Sequence, residues 1–336
     1  RPPRSTPLYS SAASDVYKRQ VSFPTDHPQY MGPHSLRVKK DRESLEDFDV
    51  VLAVGMDTFD ELFYWGDVIL SESQKLIHID PIPSRVGRSE PTDVGIISNC
   101  KAALEEIIEI IKPAVDKNVT KLRTEQVITA AKEVISSYQE SVQQKWDNSP
   151  MSPARMMFEL SKAVPDDSII VDDSVSNRAA LRHYFHGRNR GDIRGVRGQS
   201  IGGGIGATMG TKCANPNRPV FGIIGDGSAM MTIQGLWTAA NDNIPCIFVI
   251  CNNGMYRVLK VNFNVYQEEI LEQKETAGEN LLYSNFDTPF DISEIAKGMG
   301  LHSERISDPD DISAAVGRAL ATGKASVLDI VIDGSL

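Results

Sequence analysis

The chain has 336 residues, of which 41% are hydrophobic and 24% are charged. This composition is typical of a globular protein with room for two domains of ordinary size. A formal net charge of -10 argues against a general nucleic-acid binder, since phosphate backbones attract an excess of Lys and Arg. No apolar run approaches the roughly 18 residues of a membrane span, so we expect no membrane partner.

The cysteine pattern gives no sign of a zinc or redox motif. The four residues are Cys100, Cys213, Cys246 and Cys251, and no two of them form a C-x-x-C pair. Cys246 and Cys251 lie in an apolar run typical of a buried strand, and we expect these two to act as small core residues. The expected compartment is a reducing cytoplasm.

The first part of the chain divides into a tail and an α/β segment. Residues 1–20 lack periodicity, and we interpret them as a tail foreign to the fold, or else as a disordered extension. Residues 21–113 then alternate apolar runs with helical spacing, which predicts an α/β domain with a parallel sheet. Its expected elements are strands at 50–55, 75–80 and 94–98 and a helix at 102–111.

A polar, Gln-rich stretch with helical spacing follows at 114–150, and we expect a helical linker there. Residues 151–336 again alternate fully apolar strands with helices. Such strands indicate a parallel sheet covered on both faces, so the fold class is α/β with two doubly wound parallel-sheet domains. In the second domain we expect strands at 168–172, 219–224, 244–251 and 326–332, and helices at 154–163, 229–241, 292–299 and 310–322.

Polar residues follow two successive strands of this second domain. Gly225-Asp226-Gly227-Ser228 comes directly after one strand, and Asn252-Asn253-Gly254 ends the next. Because parallel strands joined by a right-handed crossover end at one edge of the sheet, we expect Asp226 and Asn253 to lie close together. A carboxylate and an amide oxygen are hard ligands suited to Mg²⁺, which takes further oxygens from phosphates and water.

Gly227 and Ser228 also open a predicted helix, whose amide groups favour an anion. Taken singly, each motif is more often a plain turn.

Gly225-Asp226-Gly227, a spacing of 24 residues and then Asn252-Asn253 resemble the thiamine-diphosphate fingerprint of transketolases, pyruvate decarboxylases and acetolactate synthases. The run from Gly225 to Tyr256 is most similar to benzoylformate decarboxylase and its acetolactate-synthase-like relatives. The resemblance implies that Asp226, the Asn253 side chain and the main-chain carbonyl of Met255 bind Mg²⁺. It also implies a set of cofactor-binding residues: Val175, Ser176, Ile201, Gly202, Gly225, Asp226, Gly227, Ser228, Asn253, Met255 and Tyr256.

Three of these residues carry a specific expectation from the resemblance. Ile201 matches the large aliphatic residue that holds the cofactor in a bent shape; the alternative is a glycine-rich helix start packed on its neighbour. Val175 and Ser176 match positions beside the diphosphate; the alternative is that the serines of this turn only cap a helix.

His27 is a candidate catalytic residue. It lies in a Pro- and Asp-containing segment that matches one placing a histidine at the substrate in benzoylformate decarboxylase. We therefore expect it to donate or accept a proton, with an ordinary surface histidine as the alternative. In some relatives the central domain holds FAD or ADP, but nothing in this sequence requires a nucleotide.

The resemblance implies a thiamine-diphosphate- and Mg²⁺-dependent enzyme that acts on a small 2-oxo acid, as a decarboxylase of the benzoylformate-decarboxylase type. The alternatives are an acetolactate-synthase-like carboligase and a non-catalytic paralogue that keeps the fold. A Rossmann dehydrogenase is disfavoured, since Asp226 would repel a pyrophosphate that lacks a metal.

In the resembled family an amino-terminal domain contributes a Glu that contacts the aminopyrimidine, and the site forms between two subunits. The resemblance also makes residues 21–113 the central domain of such an enzyme, incomplete at its start. We therefore interpret residues 1–336 as a fragment that lacks the pyrimidine-binding domain; the alternative is a naturally split enzyme. A homodimer or homotetramer of the full-length chain is expected.

Overall fold

The computed structural model describes residues 23–32, 43–56, 68–187, 192–196, 200–269, 271–272 and 281–335. The predicted tail at 1–20 lies outside these residues. Two compact units divide between Ser137 and Tyr138, which is inside the stretch predicted as a linker. The predicted domain bounds at 21–113, 114–150 and 151–336 remain predictions.

The first unit contains a parallel sheet of three strands in the order β1-β2-β3, followed by a helix. The bounds of these strands and of this helix lie within two residues of the predicted ones, because each strand is a short apolar run with a clear stop. Asn99 caps the helix, since its side chain accepts hydrogen bonds from the amides of Lys101 and Ala102. The elements are β1 Val50–Val54, β2 Lys75–Asp80, β3 Val94–Ile97 and α1 Cys100–Ile111.

Helix α2 runs from Lys117 to Gln143, through the division between the two units. Its surface is mostly exposed and polar. Within the described ranges, neither α2 nor any other helix combines the length and the apolar character needed to cross a bilayer.

The second unit is built on a six-stranded sheet in the order β5-β4-β6-β7-β9-β8. Every pairing between these strands is parallel, which confirms the predicted α/β class with parallel sheets. The strands are β4 Ile169–Asp173, β5 Ile193–Gly195, β6 Val220–Gly225, β7 Ile247–Asn252, β8 His302–Ile306 and β9 Ser326–Val331.

Helices cover both faces of this sheet, because successive residues of each strand enter opposite cores. The helices of this unit are α3 Pro153–Ala163, α4 Arg178–Tyr184, α5 Gly204–Ala214, α6 Asp226–Met231, α7 Gly235–Asn241, α8 Arg257–Glu269, α9 Ile292–Gly298 and α10 Ile312–Ala321. Phe221 and Ile223 pack with α3, α4 and α10, whereas Val220 and Ile224 pack with α5, α6, α7 and α9.

Two predictions for this unit need correction. The helix predicted at 229–241 is two short helices, α6 and α7, because residues 232–234 leave the helical path. The strand predicted to begin at 244 begins at Ile247, after Pro245. The short strands β5 and β8 and the helices α4, α5 and α8 were not among the predicted elements.

The strand order reverses between β4 and β6. The connection that follows β4 contains α4 on one face, whereas the connection that follows β6 contains α6 and α7 on the other. Where neighbouring strands send their connections to opposite faces, a crevice opens at their carboxyl ends, and ligands of open α/β sheets bind there. This edge carries Asp173 at the end of β4 and Asp226 directly after β6.

Asp329 ties the neighbouring part of the sheet together from inside β9. Its carboxylate is fully buried and accepts hydrogen bonds from the side chains of Asn252 and Arg305. It also accepts from the amides of Ile292 and Ser293, which begin α9. The carboxylate thus fixes the end of β7 to β9 and to the start of α9.

We expect Asp329→Ala to lower the free energy of unfolding by about 3 kcal/mol, because several buried donors lose their acceptor at once. Asp310→Ala is the control: this carboxylate also pairs with an arginine, Arg155, but its side chain is 81% exposed. The control should change stability by less than about 1 kcal/mol. Urea unfolding followed by circular dichroism gives both values, and equal losses would contradict the role of Asp329.

Candidate active site at the carboxyl ends of β4, β6 and β7

Asp226 is buried at the carboxyl end of β6, with only 3% of its surface exposed. One carboxylate oxygen accepts a hydrogen bond from the amide of Gly227 at 2.7 Å, and the other accepts from Gly254 at 2.7 Å. Burial raises the pKa of Asp226 to about 6, although backbone amides, including that of Asn253, oppose the rise. A raised pKa means that the fold favours the neutral acid and loses stability as the pH rises from 3.8 towards 6.

A divalent cation fits this carboxylate. In the described part of the chain no Lys or Arg pairs with Asp226, and no group of three or more His, Cys, Asp or Glu side chains forms an alternative metal site. A bound cation would supply the positive charge that the buried carboxylate lacks and would reverse the rise in its pKa. One carboxylate with nearby amide and carbonyl oxygens is a donor set that suits Mg²⁺.

The turn after β7 comes directly against Asp226, as predicted from the order of the motifs. Gly254 has a φ of 66° and donates a hydrogen bond from its amide to the Asp226 carboxylate. The preceding residue, Asn253, therefore lies beside Asp226. The side-chain oxygen of Asn253 accepts from the amide of Met255 at 3.2 Å. This turn therefore brings the three residues predicted to bind the metal, Asp226, Asn253 and Met255, into one small region.

The two glycines around Asp226 have different surroundings. A Cβ at Gly227 would lie 2.4 Å from Cε1 of Tyr256 and 3.2 Å from the ring of Phe286. A Cβ at Gly225 would meet nothing closer than the main-chain oxygen of Asp173 at 3.9 Å. Tyr256 and Phe286 pack edge to face, with ring centroids 4.8 Å apart, so the predicted cofactor residue Tyr256 forms the wall against which α6 begins.

The segment after β4 is held by Asp172. Its carboxylate accepts from the amide and hydroxyl of Ser174 and from Arg178 at 2.8 Å. Burial alone would raise the pKa of Asp172, but Arg178 and Ser174 outweigh it and hold the pKa below its usual value. Val175 follows with a φ of 46°, a left-handed conformation that is strained for a β-branched residue.

The capping alternative for the serines of this turn finds no support in the hydrogen bonds. The Ser174 hydroxyl donates to Asp172 and makes no cap, and the side chain of Asn177 does not cap α4. Ser176 is half-buried, and within the described residues its hydroxyl has no hydrogen-bond partner.

The glycine-rich segment after Ile201 is fixed by three polar groups. The amide of Gly202 lies 3.2 Å from the Asp173 carboxylate and 2.8 Å from the Ser228 hydroxyl oxygen, and its carbonyl accepts from Thr232 at 2.7 Å. Gly202 has a φ of 99°, and a Cβ there would lie 2.7 Å from Cβ of Met231. Ile201 itself is half-buried.

Sequence reasoning missed Asp173 and Thr232. Burial raises the pKa of Asp173, against hydrogen bonds from Ser228, Gly204 and Gly202 that lower it. A signal was present: Asp172 and Asp173 are consecutive acids at the end of a buried strand, where alternation sends one side chain to each face.

His27 belongs to the first unit and is exposed in a short turn. Its Nδ1 accepts a hydrogen bond from the amide of Gln29 at 3.2 Å, so the neutral ring carries its proton on Nε2. Its predicted catalytic role remains a prediction.

Comparison with known families assigns most of the chain. Residues 176–330 match the thiamine pyrophosphate enzyme, C-terminal TPP binding domain, and residues 13–107 match the thiamine pyrophosphate enzyme, central domain. The chain belongs to the family of thiamine-diphosphate-dependent enzymes. Thiamine diphosphate is the cofactor of this family, and Mg²⁺ is its usual partner metal.

Within this family the chain is similar to acetolactate synthases and benzoylformate decarboxylases. It is 28% identical to a probable acetolactate synthase large subunit of Methanococcus aeolicus, over 92% of this chain and 51% of the relative. It is 25% identical to benzoylformate decarboxylase of Pseudomonas aeruginosa, over 92% of this chain and 53% of the relative. The chain thus spans about half the length of these relatives.

A solved structure supports the fold. The thiamine diphosphate-dependent 4-hydroxybenzoylformate decarboxylase of Rhodococcus jostii superposes with a TM-score of 0.73 at 24% identity. The match covers 96% of this chain and 56% of that one.

We expect Gly227→Ala to lower the free energy of unfolding by about 1–3 kcal/mol, because its Cβ would displace the packed ring of Tyr256. Gly225→Ala, two residues earlier, is the matched control, since its Cβ would meet no atom closer than 3.9 Å and its φ is -68°. Thermal unfolding of both variants measures the difference. Equal stability of the two variants would show that the ring moves away at little cost.

Proposed function

We propose that the enzyme containing this chain uses thiamine diphosphate and Mg²⁺ to decarboxylate a small 2-oxo acid. The observation that carries the proposal is the buried Asp226, without a cation among the described residues, beside the turn at Asn253 and Gly254. It lies where the strand order reverses, which is where an open α/β sheet binds its ligands. Membership of the family supports the same assignment.

The proposed metal ligands are the Asp226 carboxylate, the Asn253 side-chain oxygen and the main-chain carbonyl of Met255. Thiamine diphosphate would supply an electron sink for the pair that a 2-oxo acid releases as CO₂ leaves. The residues around Asp226 would hold its diphosphate end, and Ile201 would support it from the side of the glycine-rich segment. The remaining proposed cofactor contacts are Val175, Ser176, Gly202, Gly225, Gly227, Ser228 and Tyr256.

Two product outcomes are open to such an enzyme. Protonation after loss of CO₂ gives an aldehyde, the decarboxylase outcome, which the likeness to benzoylformate decarboxylase supports. Attack on a second carbonyl gives a longer product, the carboligase outcome, which the 28% identity to a probable acetolactate synthase supports. Incubation of the full-length enzyme with a panel of 2-oxo acids, with CO₂ release and carbon products both measured, separates the two.

The same screen tests the non-catalytic alternative. A paralogue that only keeps the fold would release no CO₂ from any 2-oxo acid. We further propose that the full-length enzyme is a homodimer or homotetramer, as the resemblance implies, and light scattering measures its mass.

We expect Asp226→Ala to weaken Mg²⁺-dependent binding of thiamine diphosphate by more than about a hundredfold, since losing even an outer partner of a metal ligand costs about 10–100-fold. Isothermal titration of the full-length enzyme with the cofactor, with and without Mg²⁺, is the measurement. Asp192→Asn is the control, because this buried carboxylate lies at the amino-terminal end of β5, whereas Asp226 lies at the carboxyl end of β6. Unchanged affinity in Asp226→Ala would remove the proposed metal site.

We expect His27→Ala to lower kcat by about a hundredfold while cofactor affinity stays the same, because a positioned proton donor acts on the chemical step. His186→Ala is the control, since His186 is exposed and has no proposed role. Steady-state kinetics with the best 2-oxo acid provides the test. Full activity of His27→Ala would make His27 an ordinary surface histidine.

A further inference from the structure

We propose that Asp173 is a positioning residue that fixes Ile201 relative to the segment that holds the cofactor's diphosphate. The inference rests on the proposed function and adds a residue to it. Asp173 ends β4, and only 4% of its surface is exposed.

One carboxylate oxygen of Asp173 joins three segments: β4 itself, the glycine-rich segment after Ile201 and the start of α6. It accepts hydrogen bonds from the amides of Gly202 at 3.2 Å and Gly204 at 2.9 Å, and from the hydroxyl of Ser228. The Ser228 oxygen in turn accepts from the amide of Gly202 at 2.8 Å, so the three segments form a closed set of bonds. Ser228 is two residues from Asp226, and Gly202 follows Ile201 directly.

The packing leaves this arrangement little freedom. A Cβ at Gly204 would lie 2.8 Å from Cβ of Asp173 and 2.9 Å from Cγ1 of Ile224, so α5 begins in direct contact with the carboxylate. The carbonyl of Gly202 is held by Thr232 on the other side. Both the amide and the carbonyl of Gly202, the residue that follows Ile201, are therefore held by hydrogen bonds.

Asp173 and Asp172 have separate tasks, although they are adjacent. Asp172 points to the other side of the strand and binds Ser174 and Arg178. Loss of Asp173 should therefore loosen the glycine-rich segment without loosening the turn at Ser174.

The first test is hydrogen exchange in the cofactor-free full-length protein. Asp173→Ala should speed exchange of the Gly202 and Gly204 amides by at least about tenfold, since local opening becomes easier when its closing contact is gone. Asp173→Asn keeps an acceptor oxygen and should give a smaller effect, and it carries the test if the Ala variant does not fold. Asp192→Asn removes an equally buried carboxylate partner of Arg218 and should leave this segment unchanged.

The second test is a double-mutant cycle on turnover. Asp173→Asn should lower kcat by about tenfold, because a misplaced supporting residue slows the chemical step, while cofactor affinity falls by less than about threefold. If Asp173 acts through Ile201, the same change made in an Ile201→Ala background should lower kcat by less than about threefold.

Unchanged exchange at Gly202 and Gly204 in Asp173→Ala, or kcat losses that simply multiply in the cycle, would overturn the proposal. If the wild-type enzyme shows no thiamine-diphosphate-dependent turnover, the proposed function fails. The exchange experiment still decides whether Asp173 holds these segments.

Discussion

The six-stranded parallel sheet is apolar on both faces, and this constraint decides where polar chemistry can take place. Along β6, Phe221 and Ile223 enter one core and Val220 and Ile224 enter the other, so neither face has room for an unpaired polar group. Polar residues are therefore concentrated at the strand ends. Because β4 and β6 send their connections to opposite faces, their carboxyl ends leave a crevice between them.

Charge at this edge is unevenly balanced. Among the buried carboxylates there, Asp172 has Arg178, and Asp329 has Arg305. Within the described residues Asp173 and Asp226 form no ion pair with Lys or Arg; both accept hydrogen bonds, which hold them in place but do not neutralise them. A divalent cation at Asp226 would reduce this excess of negative charge. It would also explain how a chain with a net charge of -10 holds a diphosphate, since the metal rather than the protein would supply most of the local positive charge.

The parts of the fold and site that depend on local sequence could be predicted, and those that depend on distant partners could not. Strand β2 at Lys75–Asp80 is an apolar run stopped by Pro81, and its predicted bounds are those observed. Strand β8 reads His-Ser-Glu-Arg-Ile and lies at the edge of the sheet, so it lacks the apolar run that marks a central strand. The Asp226 region was predicted because its motif is short, whereas the partners of Asp173 lie 29, 31 and 55 residues away.

The packing of Tyr256 and Phe286 against Gly227 limits how far the Gly-Asp-Gly motif can be moved to other proteins. A designer who grafts this loop and the turn from Asn253 to Tyr256 onto another α/β scaffold would transfer the proposed metal ligands and only one of the two rings. Phe286 lies about 60 residues beyond Gly227, on a segment that such a graft leaves behind. Without Phe286 packed against it, the ring of Tyr256 would no longer be fixed over the glycine, whose freedom would then weaken the loop.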